Sequence, residues 1–242
     1  MKHSSQKTAI SILFAAVLTA CGGGGGGEGG ADTGSVAAAV SKPATDTKQE
    51  GAAAPTKVLG CTVELYGDSI MAGNGTEETP AMTLQRLRPN LQVTADHAVA
   101  GTMLTMLAPT FDGAPRTARY VVIENGVIDS WQGIPVPLFL STYSAMISQL
   151  RAEGRVPVLT GFARQAVGGL LSQQDVTERD LYDALLKNYA AEQNVAFADW
   201  GAVRFDGPAD LMDFVHPDKT YSDRLVEQLA TTLDTIAPEC AK

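Results

Sequence analysis

Two short segments, far apart in the chain, hold the residue types that a hydrolytic triad requires. Tyr66-Gly67-Asp68-Ser69-Ile70 places a serine hydroxyl just after an apolar run, and Asp213-Phe214-Val215-His216 places a carboxylate and an imidazole three residues apart. A serine hydroxyl is a weak nucleophile until an adjacent base accepts its proton. His216 is the candidate base for Ser69, with Asp213 accepting from Nδ1–H so that Nε2 faces the hydroxyl. The histidines narrow the choice, because the chain has only His3, His97 and His216. His3 falls in a segment that reads as a cleaved leader. His97 has no comparable companion in its own loop and is expected to be structural or pocket-lining.

The elements that must position these groups alternate as strand and helix. Strands are expected over 63–66, 92–98, 120–124, 156–160 and 195–199, each short. Helices are expected around 82–87, from just after Pro135 and Pro137 to about 152, over 176–192, and through Tyr221, Leu225, Leu229 and Leu233 at a spacing of four. Strand–helix alternation that closes on a helix implies an α/β fold, a three-layer doubly wound parallel sheet. Ligand sites in such folds lie beyond the carboxyl ends of the strands. Gly67 permits a tight exit from the first strand and exposes Ser69 at that edge.

Gly67-Asp68-Ser69 near the start of the domain, Ala100-Gly101 after the second strand and Asp213-x-x-His216 near the end together resemble the SGNH/GDSL hydrolases, a family of serine esterases and acyl hydrolases. The resemblance covers nearly all of residues 61–236. It implies a flavodoxin-like α/β/α sandwich and a two-step reaction through an acyl-enzyme on Ser69. It also implies an oxyanion hole of three donors: the Ser69 N–H, the Gly101 N–H and an asparagine side chain. The third donor is where this chain departs from the pattern. Its block reads Glu124-Asn125-Gly126-Val127-Ile128-Asp129, with Ile128 at the asparagine's position. Asn125, at the end of the same strand, is expected either to reach back into the hole or to satisfy backbone groups at the strand exit. Asp68, Asp96 and Asp129 are expected to brace loops. Trp131 is expected to line a subsite or to pack. Gly-x-Ser-x-Gly, the mark of a different serine-hydrolase fold, is absent.

The amino terminus reads as an export signal over 1–20, with Lys2 and Lys7 ahead of an apolar stretch too short to span a bilayer. Leu18-Thr19-Ala20-Cys21 resembles the lipobox of bacterial lipoproteins, which implies lipidation at Cys21; an ordinary secretory signal is the alternative. Gly22 after the cysteine suggests, by the same analogy, the outer membrane of a Gram-negative envelope. Residues 21–56 are mostly Gly, Ala, Ser, Thr, Asp and Lys with few large apolar side chains, the composition of a flexible tether about 30 Å from end to end. The hydrolase-like domain is expected over 57–242. Cys61 and Cys240 remain as an even pair in an exported chain, a disulfide candidate, with two free thiols as the alternative.

The formal charge is −9, and without residues 1–20 it is −11. No basic stripe offers a nucleic-acid footprint. Neither a metal-ligand spacing nor a phosphate-binding Gly-x-x-x-x-Gly-Lys is present, so no cofactor or metal is expected. The expected partners are a small-molecule, lipid or glycan ester and, through the anchor, a membrane. Two other readings keep the fold: an acyltransferase to glycan hydroxyls, and a weakly active domain that binds a glycan or protein.

Overall fold

The structure is a computed structural model that describes residues 60–113 and 115–241. The expected leader, Cys21 and the tether lie outside the described residues. The elements run β1 (Thr62–Gly67), α1 (Pro80–Leu87), β2 (Gln92–Asp96), α2 (Leu104–Gly113), β3 (Tyr120–Glu124), α3 (Val127–Trp131), α4 (Val136–Ala152), β4 (Val156–Thr160), α5 (Gln173–Glu192), β5 (Ala196–Ala198) and α6 (Lys219–Ile236). Five parallel strands form one sheet in the order β2-β1-β3-β4-β5. That is the flavodoxin-like order, whose direction reverses beside β1. Helices α1 and α6 pack together on one face, and α2, α4 and α5 follow one another on the other.

Burial explains why the central strands are near-continuous apolar runs. Every residue of β1 and β3 is buried, because helices cover both faces. Two polar intruders in β1 have partners. Glu64 Oε1 accepts from Thr117 N–H at 2.7 Å and Ala118 N–H at 3.0 Å, and Thr62 Oγ1 accepts from Arg119 N–H at 3.0 Å. Together they tie β1 to the entry of β3.

The helices depart from the sequence expectations in identifiable ways. α2 occupies a stretch for which no element was expected; Pro109 inside it and the lack of any acidic first turn or basic last turn hide its periodicity. α5 starts at Gln173 rather than 176, because Ser172 and Asp175 form a capping box. β2 ends at Asp96, since Asp96 Oδ1 turns back to accept Ala98 N–H at 3.1 Å. Cys61, just before β1, and Cys240, just after α6, are disulfide-bonded with their Cα atoms 5.5 Å apart. Because α6 runs antiparallel to the strands, its far end returns to their amino ends.

Candidate active site

Ser69 leaves β1 through Gly67, where a Cβ would lie 2.4 Å from Met71 Cβ and 2.8 Å from the Glu124 carbonyl oxygen. Only glycine fits so close an approach. Beyond it Asp68 braces the turn: its Oδ1 accepts Ile70 N–H at 2.9 Å, and its carbonyl accepts Ala72 N–H at 3.0 Å. The Asp68 N–H donates in turn to Glu124 Oε2 at 3.2 Å. A turn fixed this way leaves the Ser69 side chain at the carboxyl edge of the sheet.

The other half of the site is the loop before α6. Asp213 Oδ1 accepts from Val215 N–H at 3.2 Å and His216 N–H at 2.9 Å, a local turn that fixes its carboxylate. Asp213 Oδ2 lies 2.8 Å from His216 Nδ1, and His216 Nε2 lies 2.9 Å from Ser69 Oγ. Residues 147 positions apart therefore meet in one hydrogen-bonded chain. Burial acts to raise the Asp213 carboxyl. Hydrogen bonds from the His216 backbone, the His216 ring and Val215 N–H outweigh it and hold the group below its ordinary range. Asp213 thus stays ionised beside the imidazole, as a partner to a transient imidazolium requires.

Ser69 and Gly101 both line one cavity of about 600 Å³, together with Ile128, Trp131, Leu170, Phe214 and His216. Neither the Ser69 nor the Gly101 backbone N–H bonds to another protein group among the described residues. Gly101 has φ +80, a left-handed geometry that suits glycine, and Asp129 Oδ2 fixes the segment beyond it by accepting Leu104 N–H at 2.8 Å. Asp129 is thus a buried loop brace.

Asn125 does not reach this cavity. Its side chain is fully buried and absent from the cavity wall, and neither amide atom has a protein partner. The expectation that it replaces the missing donor is corrected here, and so is the alternative that its amide satisfies backbone groups at the strand exit. Tyr143 Oη donates to the Asn125 carbonyl oxygen at 2.6 Å and fixes the backbone there. Ile128 occupies the wall instead. His97 stacks on Tyr66, with ring centroids 4.6 Å apart, and lines a separate cavity with Asp96.

Three contributors were not foreseen from sequence. Phe214, between Asp213 and His216, adopts φ +71 and accepts Ala166 N–H on its carbonyl at 3.1 Å. Arg179, buried in α5, donates to the carbonyls of Phe162 and Ala163, fixing the chain beyond β4 that contacts the triad loop. Leu170 stands at the cavity mouth. Sequence periodicity carries no sign of any of these roles.

A parallel α/β sheet with a Ser–His–Asp relay at its carboxyl edge defines a serine-hydrolase-type protein. The sequence pattern of the GDSL-like Lipase/Acylhydrolase family matches residues 65–224, and the chain belongs to that family of ester-bond hydrolases. Solved structures share the fold. TesA is 21% identical with a TM-score of 0.59, covering 72% of this chain and 99% of its own. A catalytic mutant of Axe2, an acetylxylan esterase from Geobacillus stearothermophilus, is 16% identical with a TM-score of 0.56, covering 74% and 96%. The psychrotrophic esterase EstA from Pseudoalteromonas sp., in a structure inhibited by monoethylphosphonate, is 16% identical with a TM-score of 0.58, covering 73% and 98%. No curated protein matches the chain in sequence.

Proposed function

We propose that the protein cleaves carboxylic esters through an acyl-enzyme on Ser69, with His216 as base and Asp213 as its orienting acid. The observation that carries this reading is the 2.9 Å contact of His216 Nε2 with Ser69 Oγ, backed by Asp213 at 2.8 Å. His216 accepts the hydroxyl proton as Ser69 attacks the ester carbonyl. The carbonyl oxygen becomes an oxyanion facing the free N–H groups of Ser69 and Gly101. Collapse expels the alcohol, which takes the proton from His216. Water then attacks the acyl-enzyme, again giving its proton to His216, and the acid leaves as Ser69 regains its hydrogen. With Ile128 at the asparagine's position, the hole lacks that side-chain donor. One missing donor typically costs roughly 100–1000-fold in turnover, so modest rates are expected.

The substrates are short acyl or O-acetyl esters, including those on glycans, or lysophospholipid. Axe2, named an acetylxylan esterase, supports a glycan ester as one member of that class. The protein works in the bacterial envelope, held by lipid on Cys21. Support for the anchor is the ordered run of basic residues, apolar stretch and Leu18-Thr19-Ala20-Cys21.

A fluorophosphonate probe tests the chemistry. The native protein should be labelled on Ser69 and should release p-nitrophenol from p-nitrophenyl acetate or a longer-chain ester, and Ser69→Ala should do neither. A folded protein silent in both assays ends the esterase reading. For the anchor, the full chain expressed in a Gram-negative host should incorporate a radiolabelled fatty acid, and Cys21→Ser should not. Equal labelling of both would exclude lipidation at Cys21.

A further inference from the structure

Part of the cavity wall around Ser69 is apolar. Ile128 stands where the resemblance leads one to expect a polar amide, and Trp131 extends the same wall. Across the mouth lies a tight turn. Gly168 N–H donates to the Leu171 carbonyl at 3.0 Å, and Leu171 N–H donates back to the Gly168 carbonyl at 2.9 Å. Leu171 is buried and anchors the turn, while Leu170 at its tip is 99% exposed. The turn rests on the triad loop, since a Cβ on Gly168 would lie 2.3 Å from the Phe214 ring.

Isolated exposed leucines are ordinary on protein surfaces. What distinguishes Leu170 is its place. It lines the cavity that holds Ser69 and His216, on a turn held at both ends, and it buries nothing within its own fold. An acetyl group would leave most of a 600 Å³ cavity unfilled. A longer straight chain would fill more of the space that Ile128, Trp131 and Leu170 line. Each methylene removed from water strengthens binding by about fourfold.

We propose that Leu170 is the chain-length determinant of this ester site, closing the apolar wall over medium-length straight acyl chains and so favouring them over acetyl. This rests on the proposed ester chemistry and, within it, sets medium-length acyl chains ahead of the acetyl and short acyl groups named above. In the native fold the leucine is solvated; in the complex its apolar surface is shared with the acyl chain. The contact lies away from the carbonyl being attacked, so it is made equally in ground and transition states. Its loss is therefore read in KM more than in kcat.

The test compares p-nitrophenyl octanoate with p-nitrophenyl acetate, using the native protein and Leu170→Ser. Because the side chain is solvated, the substitution disturbs no core. The native protein should show the higher kcat/KM on octanoate. Leu170→Ser should lower the octanoate-to-acetate ratio about tenfold, a difference of about 1.4 kcal/mol, mainly through KM for octanoate. A ratio unchanged within twofold, a loss confined to kcat, or a native preference for acetate would each overturn the assignment. A protein inactive on both esters and unlabelled by fluorophosphonate removes the parent reading and this one together. Labelled, active protein with an unchanged ratio removes only the role of Leu170.

Discussion

Phe214 is the strained residue of the site. A non-glycine side chain at φ +71 costs on the order of 1–3 kcal/mol. The strain is held by the hydrogen bond from Ala166 and by ring packing over Gly168 and Gly169. It serves the chemistry by letting Asp213 and His216 flank Phe214 and still face each other. Gly168→Ala should therefore push the ring away and loosen His216, lowering kcat by roughly 100-fold while the fold persists, since small misplacements of catalytic groups carry costs of that order. Far-ultraviolet circular dichroism beside ester turnover checks this; a fully active Gly168→Ala protein would show that the ring does not position the loop. Asp213→Asn should keep the hydrogen-bonded geometry but favour the wrong imidazole tautomer, with kcat falling by roughly 10⁴. Turnover of that variant within tenfold of native would remove Asp213 from the relay. Ser69, Asp213 and His216 were legible in the sequence because their chemistry depends on residue type and local spacing. Asn125 was not, because whether an amide at a strand end faces inward or toward the site depends on the rotation of the backbone after β3. Leu170 was equally hidden, since exposure at a turn tip has no sequence period.

At the scale of elements, β1 and β3 do more than deliver loops. Their carboxyl ends bring Asp68 and Glu124 together beneath the nucleophile, both buried. Burial pushes the Asp68 carboxyl up to about 6, against opposing pulls from the Ile70 N–H and from His216; Asp129 adds to the rise. Burial, then the neighbouring Asp68 charge, pushes Glu124 well above its ordinary value. The folded protein thus retains protons that the unfolded chain releases near pH 4. The stability this contributes is complete below that pH; the share of Asp68 is lost as the pH rises through about 6, and that of Glu124 at higher pH. Asp213 has the opposite sign, because its lowered folded value contributes stability that is lost only in stronger acid. Glu124→Gln leaves an amide oxygen to accept the Asp68 N–H and removes one of the two acids. The thermal midpoint of the variant should change less between about pH 5 and about pH 7 than that of the native protein. Parallel curves for the two proteins would mean the pair does not share its titration. The doubly wound α/β class followed from the alternation of short strands with helices, whereas the flavodoxin-like arrangement was legible only through the family resemblance. α2 did not, because a helix with an internal proline and no charged ends lacks the usual start and stop signals. The capping box of α5 was present in the sequence as Ser172-x-x-Asp175, but the first periodic apolar residue lies past it, at Val176.

Across the whole domain, α6 links the catalytic edge to the opposite end of the sheet. It begins just after His216, where the Asp218 side chain caps Tyr221 N–H at 2.7 Å and the Asp218 N–H donates to the Asp210 carbonyl at 2.7 Å. It ends next to Cys240, whose bond to Cys61 ties it to the entry of β1. The bridge spans 179 positions, and in the chain-entropy account a loop of that size contributes about 5 kcal/mol by restricting the unfolded chain. Strain and residual structure reduce such figures, and losing a native bridge typically costs about 2–5 kcal/mol. For a domain of this size that corresponds to a midpoint lower by roughly 5–15 °C. Because the bridge lies at the amino ends of the strands and the triad at their carboxyl ends, its removal should change stability without changing the site. The double substitution Cys61→Ala with Cys240→Ala should therefore melt earlier by that amount yet keep its ester kcat/KM within about twofold at 25 °C. The reduced native protein should melt with the variant and the oxidised native protein well above both. Equal melting of all three would show that the cross-link leaves the unfolded chain no more restricted than before. Loss of turnover in a folded variant would show that α6 transmits the position of its far end to His216, and that the two edges of the sheet are coupled through it.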